Sequence, residues 1–283
     1  MTTQSPFSSL ALSGDAPGLI GPLESRLDFT TRGYHDVPMV VPGSSVGACA
    51  IYDTVNRMLA RGATPRFMTA SFVVGDSIPA SKLRYVAGQA AEAAVQSEVE
   101  FTSVETIVTD RPPRHGIGVT LSAIGEMRPA VEWSPACLRP GDAVIVTGEV
   151  GAHGAALSQS IDNALFLPPV LTDAAPLVDV VHEIQNVAAS GIRMMYYPAD
   201  GLASAVREIE RMSGLKIACD ASRVPVRGVV AEAARVLGKS PLELATASAM
   251  IVIVPSSQAD ETVAAARRSA YGSSAAVIGT VRG

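Results

Sequence analysis

Apolar residues recur at helical spacing in the stretch that follows a small-residue elbow, Gly43-Ser44-Ser45. One helix face is formed by residues at positions i, i+4, i+7 and i+8, namely Ile51, Val55, Met58 and Leu59. Ser45 stands at the position of an N-cap, and Gly62 follows the last periodic residues. The pattern therefore predicts a helix that Ser45 caps and that ends at Gly62.

The remaining chain alternates between extended and helical patterns. Runs rich in apolar and β-branched residues predict strands at 29–31, 67–74, 101–109, 116–125, 143–148, 215–219, 249–254 and 275–281. Helical periodicity predicts further helices from Pro79 onward and at 151–160, 176–190, 201–213, 227–237 and 258–270. Such alternation along a chain of 283 residues is typical of layered α/β domains.

The segment 126–142, "EMRPAVEWSPACLRPGD", interrupts this alternation. It contains three prolines and few periodic apolar positions, which is typical of a connection between domains. We therefore predict two α/β domains, an N-terminal one at 1–133 and a C-terminal one at 134–283.

Composition narrows the range of partners. Hydrophobic residues make up 48% of the chain and charged residues 17%, so there is enough apolar material for a packed core. The net charge of −5 argues against nucleic acid as the main partner, because that needs a basic surface. No apolar run approaches the roughly 18–20 residues of a membrane span, and the first residues lack the features of a signal peptide. We expect a cytoplasmic protein that binds neither nucleic acid nor membrane.

Cysteine and histidine spacing gives no support for a metal centre. The three cysteines and four histidines are scattered along the chain, at Cys49, Cys137, Cys219, His35, His115, His153 and His182. None of them forms a CxxC, HxxxH or HExxH motif, so neither a zinc site nor a disulfide framework is predicted. Each cysteine is expected to be a small, buried side chain.

Two segments resemble the hydrogenase maturation family HypE of the PurM superfamily. They are "VGACAIYDTVNRMLARGATPRFMTASFVV" (46–74) and "CLRPGDAVIVTGEVGAHGAALS" (137–158), and their order and the domain break also fit from about residue 28 onward. The resemblance implies a two-domain PurM-like fold that dimerises through its N-terminal strands. It also implies an ATP-binding cleft near the dimer interface, which HypE uses to make the cyanide ligands of hydrogenases.

The chain departs from the family at the positions that handle Mg-ATP. The resemblance places three of the family's aspartates on Arg32, Ser45 and Arg57, and its NEGK motif on 246–249, "TASA". Two unit charges 4 Å apart interact by about 4 kcal/mol at an effective dielectric constant near 20, so the two arginines replace a strong attraction for Mg²⁺ with repulsion, and Ser45 removes a third attraction. The N-terminal glycine-rich flap is reduced to "LSGDAPG" (12–18), and the printed sequence ends without the family's terminal cysteine. We expect no cofactor, with ATP and Mg²⁺ bound only if this degenerate site still works, and no metal site.

Several residues remain candidates for ligand binding. Arg32 and Arg57 could bind an anion directly, as guanidinium groups do, or could be solvated or paired with Asp28, Asp36 or Asp53. The full set of ligand- or anion-binding candidates is Thr31, Arg32, Ser45, Asn56, Arg57, Thr106, Gly148, Gly151, His153 and Gly154.

Three features of the chain allow both a functional and a structural reading. Glu105, a carboxylate retained where the resemblance places the family's GDTK motif, could be catalytic or could be a strand-end residue facing water. His153 lies in a glycine-rich turn that resembles the anion-holding start of a helix, or is only a turn. Tyr196 and Tyr197 could stack on a ring or could form a packing edge.

Two functions follow from these readings. The first is a HypE-like accessory protein with a degenerate nucleotide site, acting as a dimeric scaffold or assembly partner for a metalloenzyme. The alternative is an ATP-dependent enzyme of the PurM superfamily, such as a hydrogenase maturation dehydratase, or an enzyme that uses the cleft for another ligand without metal. The expected partners are a second copy or a related subunit, and a protein of a maturation complex.

Overall fold

The N-terminal half folds into a four-stranded sheet covered on one face by two helices. The computed structural model describes residues 26–128, 132–188 and 191–283, so the predicted flap at 12–18 lies outside the described residues. The strands are β1 (Leu27–Tyr34), β2 (Val40–Val41), β3 (Ser44–Ser45), β4 (Ala63–Gly75), β5 (Glu100–Thr109) and β6 (Ile117–Met127). The helices are α1 (Val46–Ala60) and α2 (Ala80–Gln96).

Strand order in this sheet is β1-β6-β4-β5, and β2 and β3 form a separate two-residue hairpin. β4 and β5 run parallel, and the helix α2 supplies the crossover that a parallel pair requires. The other pairs of the sheet are antiparallel. Alternate residues of β4 (Met68, Phe72 and Val74) are buried and belong to the core that also contains apolar side chains of α1 and α2.

Both edge strands of this sheet carry exposed apolar side chains. Phe29 on β1 is 65% exposed, and Val108 on β5 is equally exposed at 65%. Leu27 on β1 and Ile107 on β5 are also exposed. An edge strand with exposed apolar residues presents unpaired backbone groups beside an apolar surface, which is a template for pairing with another chain.

The C-terminal half is a five-stranded sheet with helices around it. Its strands are β7 (Ala143–Val146), β8 (Met194–Tyr196), β9 (Lys216–Cys219), β10 (Ile251–Val254) and β11 (Ala276–Arg282). Its helices are α3 (Ala152–Ile161), α4 (Val178–Ala188), α5 (Leu202–Ser213), α6 (Gly228–Val236) and α7 (Ala259–Ala266). The order is β8-β10-β7-β11-β9. Every residue of β7 and β10 is buried, because both central strands are covered on both faces.

The two halves share one hydrophobic core. The largest cluster of buried apolar residues contains Ile51 and Val55 of α1 together with Leu177 and Ile184 from the C-terminal half. A continuous packed region therefore joins the two halves. Within the described residues, no helix combines the length and the apolar character needed to cross a membrane.

The α/β architecture and the predicted long elements are confirmed, with differences in detail. β6 continues to Met127, so the interdomain connection begins two residues later than the predicted 126–142. β2, β3 and β8 were not predicted, because two or three residues carry no readable periodicity. Glu105 and Thr106 lie in the middle of β5, so Glu105 is not a strand-end residue.

Ser45 does occupy the N-cap position of α1, as the sequence predicts, but its hydroxyl does not cap the helix. Its backbone has the extended conformation of an N-cap, yet its side chain makes no capping hydrogen bond. The Ser45 Oγ is buried and has no hydrogen-bond partner. Helix α1 is instead held by burial of its apolar face.

Candidate functional site

A cavity of about 210 Å³ lies in the cleft between the two halves. β1 and α1 form one wall, and the start of α3 with the segments around 197–200 and 245–247 forms the other. Its charged lining residues are Arg32, Arg57, Asp53 and Asp200. Two cations thus face two carboxylates, and the cavity carries little net charge.

Asp53 is the centre of a polar network in this cavity. Its Oδ2 accepts hydrogen bonds from the Tyr34 hydroxyl at 2.6 Å and from Arg57 Nε at 2.8 Å. Arg32 Nε lies 4.0 Å from the same oxygen. The sequence offered Asp53 only as one of three aspartates that could pair with the arginines. Its i, i+4 spacing to Arg57 on a predicted helix was the signal that favours this pairing.

The two arginines differ in how firmly they are held. The guanidinium of Arg57 also lies over the Tyr197 ring, with Cζ 5.7 Å from the ring centroid. Burial lowers the pKa of Arg57, but the hydrogen bond and charge of Asp53 outweigh burial and leave that pKa raised. The Arg32 side chain is 43% exposed and touches Asp53 only at the limit of an ion pair. Arg32 is therefore the cation with a guanidinium accessible to a ligand.

His153 lies on the opposite wall as a neutral imidazole. α3 begins after Gly151, which has a left-handed φ of 88°, and this turn brings His153 to the cavity. His153 Nδ1 is 2.7 Å from Thr172 Oγ1. Burial lowers the pKa of His153 to about 4, although the charge of Asp53 acts in the opposite direction. At neutral pH the ring therefore carries no charge.

Gly148, Gly151 and Gly154 serve close packing rather than the cavity lining. A Cβ on Gly148 would lie 2.8 Å from the Ser248 carbonyl oxygen, and one on Gly154 would lie 2.5 Å from the Ala245 nitrogen. The Gly151 N–H donates to Thr246 Oγ1 at 3.0 Å. The contacts of these glycines are therefore those of a tightly packed structural turn. Of residues 148–154, only His153 lines the cavity.

Asn56 joins the two halves of the molecule. It is completely buried, and its Nδ2 donates to the Ala175 carbonyl oxygen at 2.9 Å and to the Ala247 carbonyl oxygen at 3.4 Å. Its Oδ1 accepts from the Leu177 N–H at 2.9 Å. These three hydrogen bonds use the amide nitrogen and the amide oxygen of Asn56 within the protein.

The remaining candidates lie away from the cavity lining. Thr31 Oγ1 is 2.9 Å from Ser122 Oγ on the neighbouring strand, and Ser45 is buried below the start of α1. Glu105 is an exposed residue of the edge strand β5, next to Thr106. The cavity therefore brings together Arg32, Arg57 and His153, but not these four residues.

The donor set of the cavity does not suit Mg²⁺. This ion takes oxygen ligands in octahedral geometry. Asp53 already accepts hydrogen bonds from Tyr34 and Arg57, and two guanidinium groups lie beside it. Over residues 26–128, 132–188 and 191–283, no group of three or more His, Cys, Asp or Glu residues could hold a metal. Cys49 also lines the cavity, and burial raises the pKa of its thiol to about 11, so it stays protonated.

Comparison with known families gives two adjacent matches. Residues 14–127 match the N-terminal domain of AIR synthase related proteins. Residues 139–283 match the C-terminal domain of AIR synthase related proteins, which is more than half of the chain. The two matches leave the segment 128–138 between them, within the connection that the sequence predicts.

Individual relatives agree with this assignment. Carbamoyl dehydratase HypE of Bradyrhizobium diazoefficiens is 31% identical over 90% of this chain and 74% of its own. A crystal structure of HypE in complex with ATP has a TM-score of 0.86 and 28% identity, and covers 99% of this chain and 82% of that one. A HypE–HypF complex has a TM-score of 0.85 and 29% identity, and covers 90% and 84%. The chain therefore belongs to the AIR synthase related proteins, as a HypE-like member of the PurM superfamily.

Proposed function

We propose that this chain is a hydrogenase maturation protein of the HypE type whose cleft binds ATP without a magnesium ion. The observation that carries the proposal is the pair of guanidinium groups, Arg32 and Arg57, on the wall of the interdomain cavity. Guanidinium groups bind phosphate oxygens through charge-assisted hydrogen bonds and need no metal to do so. Similarity to an ATP-bound HypE over nearly the whole chain supports ATP as the ligand.

Within this proposal, Arg32 makes the main contact with phosphate. Its side chain is accessible, whereas Arg57 is tied to Asp53 and packed on Tyr197. The cavity of about 210 Å³ is smaller than the roughly 300–1,000 Å³ of typical ligand pockets, so it suits a phosphate group better than a whole nucleotide. The nucleoside would then extend beyond the cavity.

A scaffold without nucleotide is the second candidate. It is favoured by the hydrogen bond and ion pair that Asp53 forms with Arg57, because a neutralised network has less attraction for a polyanion. Similarity to HypE enzymes favours the ATP-dependent alternative over this scaffold. We therefore keep the scaffold as the outcome that a failed ATP titration would support.

The proposal includes protein partners in the cytoplasm. Exposed apolar residues on the edge strands β1 and β5 support a dimer, formed with a second copy or with a related subunit. The HypE–HypF complex supports a second maturation protein as a further partner. Light scattering of the purified chain at tens of micromolar should give a dimer. A monomer that stays monomeric in the presence of a related subunit would contradict this part of the proposal.

Calorimetric titration with ATP tests the proposed ligand. We expect binding with similar affinity in EDTA and in excess Mg²⁺, and no Mg-dependent ATP hydrolysis above background. Arg32→Ala should weaken binding about tenfold or more, because a hydrogen bond to a charged group contributes about 1.5–3 kcal/mol.

Arg66→Ala is the matched control for this titration. Arg66 is also an exposed arginine paired with a carboxylate, Glu126, but it does not line the cavity. Its removal should leave the affinity for ATP unchanged. Absence of ATP binding would favour the scaffold, and binding that requires Mg²⁺ would show that a metal site exists despite the residues in the cleft.

A further inference from the structure

The imidazole of His153 is held from one side by a segment of coil. Thr172 Oγ1 lies 2.7 Å from His153 Nδ1 and also accepts a hydrogen bond from the Ala174 N–H at 3.1 Å. The Thr172 backbone N–H in turn donates to the Pro42 carbonyl oxygen at 2.8 Å. Thr172 is thus fixed to the loop that precedes α1, and it fixes the histidine.

The hydrogen bonds around Thr172 decide which ring nitrogen carries the proton. A threonine hydroxyl has one proton to donate and two lone pairs that accept. One lone pair is used by Ala174, and Nδ1 is the one acceptor that a described residue offers to the hydroxyl proton. If Thr172 donates to Nδ1, every one of these groups is satisfied, and the imidazole proton must lie on Nε2.

Nε2 is the ring nitrogen of His153 that remains available to a ligand in the cavity. His153 is a lining residue, and no described residue forms a hydrogen bond with its Nε2. The ring is largely buried and therefore neutral near pH 7. A neutral imidazole with its proton on Nε2 presents a hydrogen-bond donor without adding a positive charge.

We propose that Thr172 fixes the tautomer of His153, so that its Nε2–H donates a hydrogen bond to an acceptor oxygen of the ligand in the cleft. The chemical class of that oxygen is a phosphoryl oxygen or a carbonyl oxygen. Thr172 is a positioning residue, because it acts through His153. The ligand contact rests on the proposed function of the cavity, whereas the tautomer does not.

This arrangement selects ligands by geometry as well as by charge. Arg32 and the Nε2–H of His153 are donors on opposite walls, and Asp53 is held by Tyr34 and Arg57. A ligand with acceptor oxygens satisfies both donors. A ligand that presents an amino group to His153 would leave the Nε2–H unpaired, which costs more than a hydrogen bond gains.

Nuclear magnetic resonance of the ligand-free full chain, labelled with 15N-histidine, tests the tautomer. The chain has four histidines, so the signals of His153 can be assigned with a His153→Gln variant. We expect His153 to be neutral at pH 7 with its proton on Nε2. In Thr172→Val the two tautomers should become mixed, and in Thr172→Ser the Nε2–H tautomer should persist.

Thr262→Val serves as the matched control. Thr262 is a buried threonine whose hydroxyl is also bonded, to the Gln258 carbonyl oxygen at 2.7 Å, but it lies on α7 outside the cavity lining. Its replacement should leave the His153 signals unchanged. An Nδ1–H tautomer in the wild type, or an unchanged tautomer in Thr172→Val, would overturn the proposal.

ATP titration of the same variants tests the contact with the ligand. Thr172→Val should weaken ATP binding about three- to tenfold, which corresponds to the net value of one hydrogen bond, and Thr172→Ser should restore it. Unchanged affinity in Thr172→Val would overturn the ligand contact. If the wild type does not bind ATP, the proposed function fails, and the magnetic resonance signals still decide the tautomer.

Discussion

Asn56 is a fully buried polar residue whose replacement should clearly destabilise the fold. It is the only side chain in the α1 sequence "TVN" that bonds the C-terminal half, through Ala175, Leu177 and Ala247. Asn56→Ala would leave the Ala175 carbonyl and the Leu177 N–H buried without partners. Each such group costs about 1–3 kcal/mol, so the expected loss is about 2–6 kcal/mol of the free energy of unfolding.

This loss is large on the scale of protein stability. Folded proteins are stable by about 5–15 kcal/mol, so Asn56→Ala should remove a substantial fraction. Urea unfolding, followed by circular dichroism and by fluorescence of the single tryptophan, Trp133, measures it. Trp133 is a suitable probe because it packs against the core that both halves share.

Two further variants separate the hydrogen bonds from other effects. Asn56→Asp keeps the size and one acceptor oxygen but loses the donors to Ala175, so it should also be destabilised. Asn186→Ala changes an exposed asparagine on α4 and should alter stability by no more than about 0.5 kcal/mol. If Asn56→Ala were as stable as Asn186→Ala, the hydrogen bonds of Asn56 would not hold the two halves together.

Four further predictions concern the cavity. Asp53→Asn should raise the affinity for ATP about fivefold or more, because a unit charge 4 Å away contributes about 1 kcal/mol even at the dielectric constant of water; calorimetry that finds weaker binding would contradict this. Arg32→Glu should abolish ATP binding and change stability by no more than about 0.5 kcal/mol, since Arg32 is exposed. Arg57→Glu should destabilise the fold clearly in urea, because it places a second carboxylate beside Asp53 and removes the packing on Tyr197. The pKa of His153 is lowered from 6.5 to about 4, so the unfolded chain binds its proton first as the pH falls, and stability should decrease by about 2 kcal/mol between pH 7 and about pH 4.5. His153→Gln should lack this part of the pH dependence, and an identical pH profile in both proteins would exclude a buried neutral His153.

The long elements of the fold were predictable because their signals are local. α1 carries its apolar face over four turns, and β4 carries alternating buried residues, so periodicity alone identifies both. β8 has three residues, Met194–Tyr196, and exists because it pairs with β10. No local pattern specifies such a strand, since its hydrogen-bond partner is more than fifty residues away.

The ion pairs of the cavity needed the tertiary structure. The sequence allowed Asp28, Asp36 or Asp53 as partners of the two arginines. In the structure Asp28 binds Arg61, and Asp36 is paired with Arg114, so that Asp53 is left for Arg32 and Arg57. Asp53 pairs with both arginines because β1 packs beside α1. The pattern of charges along the sequence does not predict this packing.

The sequence predicted His153 as a site residue but gave no indication of its partner Thr172. His153 was predicted from its glycine-rich motif, whose glycines turn out to pack closely rather than line the cavity. Its partner Thr172 lies in coil with no recognisable motif, so no sequence signal pointed to it. Glu105 remains a prediction, since it lies on an exposed edge strand where a second subunit could approach.

Titration of the wild-type chain with ATP in EDTA, and again in excess Mg²⁺, is the most direct test of metal-independent ATP binding. We expect saturable binding of equal stoichiometry and similar affinity in both buffers, because guanidinium groups on the cavity wall bind phosphate without a metal ion. Binding that appears only when Mg²⁺ is added would contradict it, and so would the absence of binding in both buffers.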